Sequence, residues 1–369
     1  MSDKIDTRQL DILLIRLDAI GDAILWFDSA RHFRDIYPGR HITLLANVIW
    51  APLAKELDYF DDVITVDTSV YSGRQKYFRH LLLDFFWYRK WRASIVIHPT
   101  LSRTFFADCI ARWISSPIKI AAQGNNANYR QRLNRIPGFG YSDSLKWYSE
   151  IIEITPTRME LTSNAAFVSR LAKRPIQPEI PNLKSLIFDN GLGLPSVYIV
   201  VVPGAGNRSR CWPIEHFEAV CSILPGTISI VVCGTASEQP LTAHLMKRVT
   251  IPDRVIDLTG KTTLKEMLSV IASAALVIAN ESSAIHIAAG LQIPSIVITG
   301  GGHFGRFLPY EPTNSYAPHV IHYPMDCFGC NWNCIFPHSQ NSTWPCISNV
   351  SVKRVIHQVN DILARMPHK

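Results

Sequence analysis

"DILLIRLDAIGDAIL", residues 11–25, decides the fold. DILLIRL is apolar on both faces of an extended chain, which predicts a strand covered on each side, and the apolar spacing after it predicts a helix. Gly21 and Asp22 stand at the junction. A strand that runs straight into a helix opens a βαβ unit, and its turn is where such folds meet their ligands.

The same alternation continues outward. ITLLA (42–46), DVITV (62–66), SIVIHP (94–99) and IKIAA (118–122) read as further strands, and FDSARHFRDIYPG as a helix with its Pro-Gly stop. The rhythm breaks over residues 170–196, which hold four prolines and two glycines and predict a linker. It resumes with VYIVVVPG (197–204), TISIVVCG (227–234), RVIDLTG (254–260), ALVIAN (275–280) and PSIVITG (294–300). Residues 350–366 read as a closing amphipathic helix. The pattern predicts α/β architecture with two doubly wound, Rossmann-like domains, 1–180 and 190–348, a final helix in 349–369, and a cleft where the carboxyl ends of the two sheets face each other.

The 369 residues suit two domains, and 47% hydrophobic with 18% charged residues is globular composition. A net charge of +7 favours an acidic partner such as a phosphorylated sugar, a nucleotide or an anionic membrane face. No nucleic-acid motif accompanies the charge. Early acids and the lack of a small-residue cleavage site argue against a secretory signal, and no uncharged apolar run is long enough to span a bilayer, so a cytoplasmic protein is expected.

Three strand exits in the second half carry anion-binding chemistry. GAGNRSRCWP brings Gly204 and Gly206, which let a ligand approach the backbone, with Arg208 and Arg210 to meet phosphate oxygens; the plainer reading is a glycine-rich turn with solvated arginines. ANESSAIH sets Glu281, Ser282 and Ser283 before a helix whose free N–H groups attract anions, with His286 a turn further on; the plainer reading is a capped helix with a core histidine. TGGGHFGRF adds Gly301 and Arg306. GKTT at 260–263 resembles the tail of a phosphate-binding loop, but Val255 occupies the place of its first glycine, so a kinase-type site is set aside.

Taken in order, RLDAIGDAIL, PGAGNRSRCWP, DLTGKTTLKEML and VIANESSAIHIAAGLQIPSIVITG resemble the successive motifs of glycosyltransferase family 9, the lipopolysaccharide heptosyltransferases. The resemblance implies the GT-B fold, with a nucleotide-diphospho-sugar donor in the C-terminal domain and the acceptor in the N-terminal one. It implies inverting transfer of a sugar, commonly heptose from ADP-heptose, to an acceptor hydroxyl of a lipopolysaccharide core or related anionic glycolipid, with no metal required for the chemistry. The family's Gly-Asp motif falls on Gly21 and Asp22, which makes Asp22 the expected catalytic base, while Arg210 and the Ser282–Ser283 helix start are expected to stabilise the leaving diphosphate. Two departures stand out. The usual Asn-Asp-Ser-Gly reads Asn280-Glu281-Ser282-Ser283, and Arg210 replaces the usual lysine, keeping charge but changing geometry. The altered motif also admits a non-catalytic nucleotide-sugar binding protein on the same fold, and a sugar-nucleotide epimerase is a third reading.

Two stretches stand outside these motifs. Cys327, Cys330, Cys334 and Cys346 are spaced so that four thiolates can surround one structural zinc or iron; the plainer reading is four reduced cysteines that bind nothing, or a redox-sensitive disulfide pair. RQKYFRHLLLDFFWYRKWR (74–92) mixes basic and aromatic residues, reading as a helix packed on the sheet or as one in peripheral contact with the inner membrane. Arg103, Arg130, Arg132 and Arg135 would tolerate an anionic acceptor.

Overall fold

A computed structural model describes residues 8–71, 74–125, 129, 138, 140–154, 159–249, 254–310, 316–337, 339 and 342–365; the side chains of 74–78 and 248 lie outside that description. The chain divides into two compact units, Met1–Pro178 and Glu179–Lys369.

In the first unit the order is β1 (Gln9–Arg16), α1 (Ile20–Ile36), β2 (Ile42–Asn47), α2 (Ala51–Ala54), β3 (Asp62–Val66), α3 (Arg74–Tyr88), β4 (Arg92–His98), α4 (Phe105–Trp113), β5 (Ile118–Ala122), α5 (Tyr141–Leu145), β6 (Glu150–Ile152) and α6 (Glu160–Ala172). Its sheet runs β3-β2-β1-β4-β5-β6, with every pair parallel. All six residues of β2 are buried, as are the last five of β1, as helices on both faces of a parallel sheet require. Helix α1 ends just before Pro38-Gly39, where Gly39 takes a φ of +71°.

The second unit holds β7 (Tyr198–Val202), α7 (Ile214–Ser222), β8 (Ser229–Val232), α8 (Gln239–Arg248), β9 (Val255–Asp257), α9 (Leu264–Ala272), β10 (Leu276–Asn280), α10 (Ser283–Gly290), β11 (Ser295–Ile298), β12 (His319–Ile321), α11 (Pro345–Ser348) and α12 (Val352–Ala364). Its sheet order, β12-β11-β10-β7-β8-β9, is the first unit's order in its own strand sequence. The order therefore reverses beside the first strand of each unit, between β1 and β4 and between β7 and β10. Ligands of doubly wound sheets bind at the carboxyl ends of those strands. Val355, Val359 and Ile362 of α12 are buried in the second unit's core with Trp212, Phe217 and Ile298.

Every strand expected from the sequence is present. Two more, β6 and β12, are three-residue strands at sheet edges, too short for a two-residue period to register. GKTT is a turn and a cap: Gly260 takes a φ of +70°, Lys261 Nζ donates to the Asp257 carbonyl at 2.7 Å, and Thr263 with Glu266 forms the capping box of α9.

Arg103 does not meet solvent. It is fully buried at the start of α4, its Nε 3.0 Å from Asp108 Oδ1, and it donates to the Ala122 carbonyl. The Tyr148 hydroxyl donates to Asp108 at 2.7 Å, Tyr129 donates as well, and His98 Nδ1 lies 3.1 Å away. Burial alone would raise the Asp108 carboxyl, but the His98 N–H, the Arg103 guanidinium and Tyr129 outweigh it and hold the group well below the usual carboxylate range. The expectation that Arg103 serves an anionic acceptor is thus corrected: its charge is spent inside the unit. Arg130, Arg132 and Arg135 lie outside the described residues. Asp108→Ala would strand that guanidinium without a counter-ion, at a cost of about 3 kcal/mol or more. A urea titration is expected to show the loss as a lower midpoint.

Candidate functional site

In the second unit the site is built on Asn280, the last residue of β10. Its fully buried amide donates to the Pro203 carbonyl at 2.6 Å and accepts from the Trp212 backbone N–H at 3.0 Å. One side chain thus ties the exit of β7 to the exit of β10 at the switch point. The tie folds residues 203–212 back into a short 3-10 turn, Arg208–Arg210, whose start is capped by Asn207 Oδ1 accepting from Ser209 at 2.9 Å.

That turn brings Arg210 to Glu281. Arg210 Nη2 lies 3.3 Å from Glu281 Oε1, and the guanidinium stacks over Trp332 with 4.5 Å to the ring centroid. Burial pushes the Glu281 carboxyl up, while Arg210 and the Thr299 hydroxyl, which donates to its other oxygen, pull it down. Around this pair three buried polar atoms have no hydrogen-bond partner among the described residues: Arg210 Nε, Ser282 Oγ and His303 Nδ1. Native interiors satisfy nearly all such groups, so three unpartnered atoms gathered beside one ion pair leave hydrogen-bonding capacity open to a ligand. Ser282 occupies the N-cap of α10 without making a side-chain cap bond, so its hydroxyl leaves the first amides of α10 uncapped. Arg208, next along the turn, is exposed.

Other expected residues take different places. His286 is buried in α10, 2.5 Å from the Tyr310 hydroxyl, where burial lowers it to about 4. Gly204 is buried, and a Cβ there would collide with the Glu238 carboxylate at 1.8 Å. Gly301 is roofed by Phe328, against which a Cβ would sit at 2.3 Å, so its lack of a side chain serves packing. Glu238 was not singled out by the sequence. It closes the Thr235 capping box at the exit of β8, and the Thr235-to-Glu238 spacing was the signal that would have found it.

The four clustered cysteines line one small cavity with Met325, Trp332, Phe336 and Trp344. All four are unpaired thiols, and burial pushes Cys346 and Cys327 up, which favours the neutral form. Among the described residues no group of three or more His, Cys, Asp or Glu is arranged to hold a metal ion. Convergence is therefore present but a coordination site is not, and the expected zinc or iron does not fit these thiols as placed.

In the first unit, Gly21 and Asp22 lie in the first turn of α1, directly after β1. Asp22 is half-buried, and its carbonyl accepts from Arg16 Nη2 at 3.2 Å. Arg16, fully buried, also lies 2.7 Å from Asp18 Oδ2 and 3.5 Å from Glu160, donates to Asn164 at 3.2 Å, and packs over Trp26. One guanidinium thus faces several acids. Burial, with Asp22 and Glu160 as like charges, pushes Asp18 up to about 8 despite Arg16. Asp18 was not anticipated, because only the fold brings its carboxyl against Arg16 and Glu160.

His286 and His303 both fall to about 4 through burial, from an ordinary 6.5. Between those values the unfolded chain binds protons that the folded unit refuses, so stability is expected to fall as pH drops through that window. Urea midpoints across the window are expected to decline, and His286→Gln is expected to flatten the decline.

Residues 167–331 match the family model of glycosyltransferase family 9 (heptosyltransferase). Lipooligosaccharide heptosyltransferase 2 of Campylobacter jejuni is 25% identical over 167 residues, 44% of this chain and 49% of that protein. Lipopolysaccharide heptosyltransferase 3 of Escherichia coli is 28% identical over 113 residues, 30% of this chain and 33% of that protein. The chain spans about half the length, or less, of these curated relatives. The solved structure of E. coli ADP-heptose lps heptosyltransferase II superposes with a TM-score of 0.66 at 16% identity, covering 96% of this chain and 99% of that one. The glycosyltransferase family 9 protein of Veillonella parvula gives 0.67 at 17%, covering 99% of each. Over residues 167–331 the chain thus matches glycosyltransferase family 9, and its fold is similar to that of the solved heptosyltransferases.

Proposed function

We propose that the protein is an inverting glycosyltransferase that moves a sugar, heptose from ADP-heptose foremost, to a hydroxyl of a lipopolysaccharide-core or related anionic glycan acceptor. The observation that carries this reading is the 3.3 Å contact of Arg210 with Glu281, which gathers a cation, orphaned polar atoms and the amides of α10 at the switch point of the second unit. A diphosphate has the charge and the acceptor oxygens that this set lacks. Gly204 and Glu238 stand at neighbouring strand exits, where the carboxylate suits a hydroxyl of the nucleoside. The relatives named above are heptosyltransferases, which supports the class of sugar.

The reaction divides between the two units. In the first, Asp22 accepts the proton of the acceptor hydroxyl as its oxygen bonds to the anomeric carbon. In the second, the bond from that carbon to the diphosphate oxygen breaks on the opposite face, which inverts the configuration. Arg210 and the α10 amides meet the growing negative charge. Glu281 holds Arg210 in place until the diphosphate arrives. No step requires a group beyond the chain's own residues and the two substrates.

A second reading, a nucleotide-sugar binding protein without catalysis, draws on the same Glu281–Arg210 pair, because an internal acid competes with the diphosphate for the cation. Donor hydrolysis or transfer by the purified protein separates the two, since a pure binder shows neither. ADP is expected to raise the melting temperature more than UDP or GDP. Arg210→Ala is expected to weaken ADP by about tenfold or more, and Arg210→Lys by less. Asp22→Asn is expected to lower turnover at least about 100-fold with ADP affinity unchanged, and near-normal turnover would remove Asp22 from its role.

A further inference from the structure

Helix α3 has two apolar faces, and the fold uses one. Tyr88 is buried in the first unit's core, Leu81 packs against that core, and the Phe85 ring meets Trp113 at 5.6 Å. On the other side Leu82 and Leu83 are each 58% exposed, Phe86 50% and Trp87 36%. At a helix's 100° per residue these four fall within an arc of about 140°. Among the described residues no other run of six holds more than two exposed large apolar side chains.

Charge surrounds this face asymmetrically. Arg79, exposed, lies one turn before Leu82 and Leu83, and Arg89, Lys90 and Arg92 are exposed just beyond the end of the helix. The Arg89 guanidinium packs over Phe85 and Phe86, at 5.4 Å from the Phe86 ring. The acid of the segment, Asp84, belongs to the opposite side, where it is half-buried and accepts from the Tyr71 hydroxyl. The surface is thus a strip of leucine, phenylalanine and tryptophan with arginine and lysine at both ends and no competing carboxylate on its face. No described helix is long and apolar enough to cross a membrane.

We propose that the outer face of α3 docks the protein on an anionic lipid bilayer, with Leu82, Leu83, Phe86 and Trp87 entering the boundary between headgroups and acyl chains while Arg79, Arg89, Lys90 and Arg92 meet lipid phosphates. This pairing of apolar depth with flanking cations is what an interfacial helix requires. A second copy of the chain would bring the same cations against each other, and a bilayer brings the opposite charge. The inference stands apart from the proposed reaction, since adsorption needs neither donor nor acceptor.

Co-sedimentation of the full chain with phosphatidylcholine vesicles, with and without about 30 mol % phosphatidylglycerol, tests it. The protein is expected to pellet with the anionic vesicles, to bind pure phosphatidylcholine far less, and to be released by high salt, which screens the cations. The double variant Leu83→Glu, Phe86→Glu is expected to bind at least about tenfold more weakly, with an unchanged melting temperature because both side chains are exposed. Equal binding to both vesicle types, or equal binding by the double variant, would overturn the proposal. So would a dimer in sedimentation velocity that the same substitutions split, with no binding to either vesicle, because the face would then belong to a second copy.

Discussion

The second unit's site depends on the Asn280 amide. By donating to Pro203 and accepting from Trp212, it fixes the path of the loop after β7 against the end of β10. An aspartate there would lose the donor, and an aliphatic residue would leave both backbone groups unsatisfied in a buried place. Arg210 reaches Glu281 only because this loop is held, and Trp332, itself stacked 5.0 Å from Trp344, covers Arg210 from the cysteine-bearing segment. A guanidinium under an aromatic roof carries less water than a free one, which suits it to pair with an incoming anion.

The first unit meets the same problem with opposite charge. At the end of β1 a buried Arg16 is shared among Asp18, Glu160, Asn164 and the Asp22 carbonyl. Acids outnumber the cation there, and burial together with those like charges pushes the Asp18 carboxyl up. The Asp18 loop is further pinned by Asn47 and Trp50, both of which donate to its carbonyl.

Much of this was legible from the sequence, because strands covered on both faces read as unbroken apolar runs and repeated alternation with helices leaves few topologies. Gly21, Asp22, Arg210 and the Asn280–Ser283 run stood out because they sit where a strand ends. What escaped depends on tertiary neighbours. The strands β6 and β12 are held by the sheets they edge. Asp18 matters through Arg16 and Glu160, and Glu238 through Gly204. Arg103 had the look of a surface cation until α4 brought Asp108 and two tyrosines to it. The cysteine spacing foretold a shared cavity but not how its thiols would be set.

The sheet order has a kinetic side. Each central pairing, β1 with β4 and β7 with β10, joins strands separated by two intervening strand-helix repeats, so neither sheet can zip from local contacts alone. In the second unit the wait is longer still, for α12 supplies Val355, Val359 and Ile362 to the core only after every strand of that sheet has been made. Until then α7, β11 and β12, the elements α12 packs against, stay wet on that side. The nascent second unit is accordingly the stage at which this polypeptide is most open to chaperones and proteases.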